Sequence, residues 1–238
     1  MTVSLEPQLF ADDKALRLPV REDWSDVSRI AKDNDWSAVP GFVGYRGDKL
    51  ASKTGISPQE ILSDGLSTPV NVNANQKNPS SLRTGGVAEF DGIPNPTIAI
   101  RGSATANAPF LLLNLDTTGK RNISVSYKLR DLDASTNSTV APVALQYRTD
   151  ADKAFSDVPS AFAPDASIAG GRATLLTPIL VVLPPAANDR AKLQVRWITV
   201  DASGNDEWIG IDDIVVTGED ATVTAGPQGS EGASKSGD

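Results

Sequence analysis

Histidine and cysteine are both absent from the 238 residues of this chain. Without an imidazole there is no Ser-His-Asp hydrolase, no Cys-His protease, no HExxH metalloprotease and no histidine general base. Without a thiol there is no disulfide framework, thiolate zinc site or iron–sulfur cluster. The chemistry that remains belongs to carboxylates, amides, hydroxyls and backbone carbonyls, donors that suit calcium or magnesium better than transition metals.

Long apolar runs and positive charge are also scarce. The stretch Ile179–Leu183, flanked by prolines, is far shorter than a membrane span, so no span is expected. The first twenty residues lack a basic start followed by an apolar run, so no signal peptide is read there. With 22 Lys+Arg against 30 Asp+Glu the formal charge is -8, and no basic stripe reverses it locally. Direct nucleic-acid binding is therefore not expected. There is no GxxxxGK[ST] phosphate loop. Aromatic residues are only 5%, and Trp24, Trp36, Trp197 and Trp208 are the candidates for stacking on sugars. Trp197, on an alternating segment, is expected in the core.

What the chain does have is apolar residues at every second position. Ile123, Val125, Tyr127 and Leu129 alternate with Ser124, Ser126, Lys128 and Arg130. Val143, Leu145 and Tyr147 alternate with Gln146 and Arg148, as Leu193, Val195 and Trp197 do with Gln194 and Arg196. This is the pattern of strands with one face in the core and one in water. Thr97–Arg101, Phe110–Leu115, Leu175–Leu183 and Trp208–Thr217 add further strands, with turns at 116–119, 184–188 and 201–204. Ser57 before Pro58 starts one short helical turn, and little else is helical. The fold expected is all-β, an antiparallel β-sandwich of jelly-roll type. It spans residues 17–217, between a polar arm (1–16) and a flexible Gly/Ser-rich acidic tail (218–238).

The sharpest local feature is Asp212 beside Asp213 inside the apolar run of the last strand. Neighbours on a strand face opposite sides, so one carboxylate is expected to point into the core, held by an arginine such as Arg196 or by a metal. A calcium site at the sandwich edge is expected here, with Glu22 and Asp23 from an early strand and Asn205 and Asp206 from the preceding turn. The stretches 131–137 and 201–207 start like calcium loops but lack the glycine of an EF-hand. A carboxylate pair for glycoside hydrolysis would have to be Asp131 and Asp133, since Asp212 and Asp213 diverge.

Several segments together resemble a known family: Asp35–Gly47 (DWSAVPGFVGYRG), Val72–Gln76, Gly85–Asp91, Pro109–Leu115, Arg130–Ser135, Pro142–Arg148 and Gly204–Ile214. They look like the N-terminal β-domain of bacterial secreted multidomain nucleases of the endonuclease/exonuclease/phosphatase type. The closing IGIDDI also resembles the last strand of MAM-like and carbohydrate-binding jelly rolls, where acidic residues help hold a structural cation. The catalytic part of such nucleases is histidine-dependent and lies outside this domain, so the resemblance implies no enzyme here. The function expected is a non-catalytic extracellular or cell-surface binding module, calcium-stabilised, that recognises a polysaccharide, a cell surface or a partner protein. The alternatives are a self-assembling structural protein using Val3, Leu5, Leu9 and Phe10 of its arm, or an accessory domain detached from a secreted nuclease.

Overall fold

The computed structural model describes residues 14–63, 65–133, 140–150, 154–167 and 175–221. The expected arm up to residue 13, with its four apolar anchors, the tail from residue 222 and the end of the 131–137 loop lie outside them. Among the described residues no helix is long and apolar enough to cross a membrane. The expected turn forms as a 3-10 helix at Pro58–Glu60, where Ser57 Oγ accepts the Gln59 N–H.

Twelve strands are described: β1 (Leu16–Arg17), β2 (Val20–Glu22), β3 (Phe42–Tyr45), β4 (Gly86–Phe90), β5 (Thr97–Arg101), β6 (Phe110–Asp116), β7 (Lys120–Asp131), β8 (Ala144–Arg148), β9 (Ser156–Asp157), β10 (Leu176–Val182), β11 (Leu193–Ile198) and β12 (Ile209–Asp220). One sheet runs β1-β6-β11-β8-β9 with β3 also beside β6, and the other β10-β7-β12-β5-β4 with β2 also beside β12. All pairings between these strands are antiparallel except β1 with β6. From β6 to β8, and again from β10 to β12, successive strands alternate between the sheets, the winding expected of a jelly roll. Pairing at both ends passes the expected boundaries, since Leu16 lies against Leu115 and Asp220 against Lys120.

The alternating residues meet between the sheets as expected. Leu111, Leu113 and Leu115, then Ile123, Val125, Tyr127 and Leu129, then Val195 and Trp197 join one buried cluster, with Tyr127 and Trp197 edge to face at 5.5 Å. The other face of the β6–β11–β8 sheet departs from expectation. Gln146, Arg148 and Arg196, which the alternation assigns to the solvated face, are all three buried. The segment 47–63 folds over this face, and Ile61, Ala51, Phe155 and Leu112 form a second apolar layer. Arg196 is trapped beneath it, its guanidinium 3.8 Å from the Phe155 ring centre and 5.0 Å from that of Phe110. It donates to Gln146 Oε1 at 2.8 Å, Ser63 O at 3.0 Å and Ile61 O at 2.6 Å. The pleat was legible, but a covering segment without periodicity was not.

Removing Arg196 strands those acceptors and opens a cavity. Arg196→Ala is expected to cost about 3–5 kcal/mol in urea unfolding, and Arg196→Met, which refills the space, less. A loss below about 1 kcal/mol for the alanine variant would show that the guanidinium does not hold the covering segment.

Glu89 on β4 is also buried, with Oε2 accepting the Asn75 N–H at 3.0 Å. Burial pushes its carboxyl from an ordinary 4.5 up to about 6, against the Asn75 hydrogen bond. A raised carboxylate pKa favours the protonated folded state, so its contribution is present below pH 4.5 and lost as pH rises through about 6. Glu89→Gln is expected to raise stability at pH 7.5 by at most about 2 kcal/mol and to change nothing near pH 4, checked by melts across that range.

Candidate functional site

The expected calcium residues come partly together. Glu22 pairs in register with Ile214, so the early strand does lie beside the late one. The carboxylates, however, do not converge. Between Asp212, opposite Lys128, and Val215, opposite Ser126, β12 carries one residue more than β7, and Asp213 takes a left-handed φ of 49°. This bulge breaks the alternation from which a core-facing aspartate was expected. Ile211 and Ile214 both face the core, while Asp212, on the Lys128 side of the sheet, is covered there by Asn95 and Arg130.

Asp212 Oδ2 accepts from Arg130 at 2.7 Å and from Asn95 Nδ2 at 2.9 Å, so Arg130 and not Arg196 is its cation. Burial pushes its carboxyl up, against the Asp213 N–H and Arg130. Asp213 is exposed and bound to Lys128 Nζ at 2.5 Å. Glu22 holds Arg29 in a fork, at 2.5 and 2.8 Å. Asp23 accepts both the N–H and the hydroxyl of Ser25, which hold its carboxyl below the usual range. Asn205 and Asp206 lie in the 201–207 turn, where Asp206 accepts the Ala202 N–H at 2.8 Å and is pushed by burial up to about 6.

Asp131 and Asp133 are buried, the first accepting the N–H of the second at 3.2 Å. Among the described residues no three acidic side chains are grouped to hold a metal. The donors at Glu22, Asp23, Asp212 and Asp213 are committed to protein partners and do not fit a calcium cage.

The site that sequence reasoning missed lies on the partly covered face of the β6–β11–β8 sheet. Gln194 is in register with Asn114 on one side and Arg148 on the other, so the three form one row across neighbouring strands. Arg148 Nε donates to Gln194 Oε1 at 2.6 Å, Gln194 Nε2 to Asn114 Oδ1 at 2.7 Å, and Asn114 Nδ2 to Gly41 O at 3.2 Å. The next row, Leu112, Arg196 and Gln146, is the one roofed by Phe155 and Ile61, and the Arg148 guanidinium also lies 4.5 Å from the Phe155 ring centre. Beyond that roof the first row lines a cavity of about 350 Å³, which exposed Lys14, Asp150 and Lys192 also line.

Each amide keeps a second N–H and a second carbonyl lone pair after these bonds. A row of planar groups one strand apart, roughly 4.8 Å, sets paired donors and acceptors side by side, an arrangement that could hydrogen-bond neighbouring hydroxyls. The signal for it in the sequence was the polar half of two alternating strands, which by itself only means a solvated face. The four tryptophans are buried, and among the described residues no aromatic ring is exposed, so none stacks on a sugar from this surface.

No protein-family model matches the chain, and no curated protein does. Solved structures similar to it include a carbohydrate-binding module specific for non-crystalline cellulose, with 14% identity, 59% of this chain and 85% of that one covered, and a TM-score of 0.40. The K3 adhesin domain of Lys-gingipain from Porphyromonas gingivalis is 15% identical over 83% of this chain and 96% of its own, with a TM-score of 0.42. A cyclase from Fischerella sp. is 14% identical over 77% and 86%, with a TM-score of 0.41. Likenesses at this level assign neither a family nor an activity, and the resemblance to nuclease-associated domains stands on its sequence segments alone.

Proposed function

We propose that this chain is a non-catalytic extracellular binding or attachment module that recognises a polysaccharide or surface glycan through the Asn114–Gln194–Arg148 row. The observation that supports it is the row itself: three planar polar side chains, held by one another and by Phe155, along a cavity of about 350 Å³. Recognition is by hydrogen bonding without aromatic stacking. Affinity for a single short chain is therefore expected to be weak, roughly in the high-micromolar to millimolar range.

A glycan array followed by titration calorimetry tests this reading. Gln194→Leu breaks both bonds of the row and is expected to abolish binding, while Lys192→Ala at the rim weakens it by a few-fold, about 0.5–1 kcal/mol. An array without a hit, or a hit that Gln194→Leu binds as well as the parent does, would overturn it.

Calcium has no part in this mechanism. With Glu22, Asp212 and Asp213 each held by a cation, melts in excess calcium and in chelator are expected to coincide. A stabilisation of about 2.7 kcal/mol at a hundredfold excess over the dissociation constant would instead reveal a site. It would lie at the other end of the sandwich, where Asp133 Oδ1 is buried without a hydrogen-bond partner.

A further inference from the structure

Among the described residues, the outward face of β10 is apolar and uncovered. Leu176, Leu180 and Val182 are 51%, 75% and 58% exposed, and they are three of the six large aliphatic side chains exposed among the described residues. Pro178 continues the same stripe. Clustering of this kind marks a docking surface.

Where a partner sits follows from the backbone. Asp131 N donates to Leu175 O at 3.1 Å and Leu183 N to Ile123 O at 2.8 Å, so the odd-numbered residues of β10 bond to β7 and the even-numbered ones turn to the open edge. Pro178, in the middle of that edge, has no N–H to offer. An added strand would be interrupted there, which blunts edge-to-edge pairing. The partner therefore lies on the side chains of the face and not along the edge.

That face carries a knob and a hollow side by side. Leu180 stands opposite Ser126, and the two, with Lys128, Pro178 and Asp213, border a depression of about 430 Å³. The Asp213 bulge separates it from a second hollow of about 260 Å³ beside Arg21, Asp23 and Val215. The charges are balanced locally: Lys128 is bound to Asp213, Glu22 to Arg29, and Arg21 borders the same hollow as Asp23. In a chain of net charge -8, whose copies repel elsewhere, this face lets two copies approach without adding like charge.

We propose that the β10 face joins two copies of this chain about a two-fold axis, the Leu180 of each entering the Ser126 hollow of the other. Knob and hollow on one surface make it self-complementary, as an isologous interface requires. The apolar part of the face is a single stripe along one strand, so association is expected to be weak and reversible.

Sedimentation of the full chain over a concentration series up to about 1 mM tests it. The parent chain is expected to shift from monomer to dimer. Leu180→Lys removes the knob and Ser126→Arg fills the hollow. Both positions lie on the outward face, so both variants are expected to keep the parent melting temperature while weakening association by about tenfold or more. A parent chain that stays monomeric throughout, whatever other protein it binds, overturns the proposal. So does association that neither variant weakens.

Discussion

The burial of one guanidinium organises the outer half of this protein. Arg196 projects from the middle of a central strand, away from the core shared by the two sheets, and it is nonetheless sealed from water. Its three donor bonds end on Gln146 and on the carbonyls of Ile61 and Ser63, so the long segment before β4 is fastened to the sheet by a side chain it does not itself carry. Phe155 closes the stack from the other side and reaches Arg148 as well. The covered row thereby helps fix the open one, and the amides facing the cavity are held in place by the protein's own contacts.

Much of the architecture was written in the two-residue period. The segments that became β5 to β8 and β10 to β12 are those whose apolar residues alternate or run continuously, because burial against a facing sheet selects side chains one by one. β1, β2, β3 and β9 are too short to show a period, and β4, five residues that open on a glycine, shows no clear alternation. The site was less legible. Polarity at Gln146, Arg148 and Arg196 looks the same whether water or a covering loop lies above it, and only the three-dimensional path of 47–63 decides which. The Asp212–Asp213 pair shows the reverse case: the oddity was real, but a single extra residue in the strand resolved it in favour of Arg130 and Lys128.

The two surfaces lie on different sheets, the amide row on β6–β11–β8 and the aliphatic stripe on β10. A pair of chains joined through the stripe keeps both rows open. Under the proposed pairing and the proposed glycan binding, two weak sites held together would gain avidity on a repetitive polymer that neither has alone. No aromatic ring is exposed among the described residues, which suits that strategy, since strength then comes from the number of contacts in place of the grip of any one.

The pairing of β2 with β12 has a bearing on how the chain is made. Val20–Glu22 finds its partner only in Val216–Ile214, almost at the far end of the described sequence, and β5 waits for the same strand. On a ribosome these early segments emerge long before the strand that completes them. Until β12 is synthesised, Val20–Glu22 has no strand to pair with, and β5 and β7 each lack the neighbour that joins them into one sheet. A nascent chain of this design keeps its second sheet open until β12 has emerged, and a truncation that stops short of Ile209 leaves that sheet without its centre.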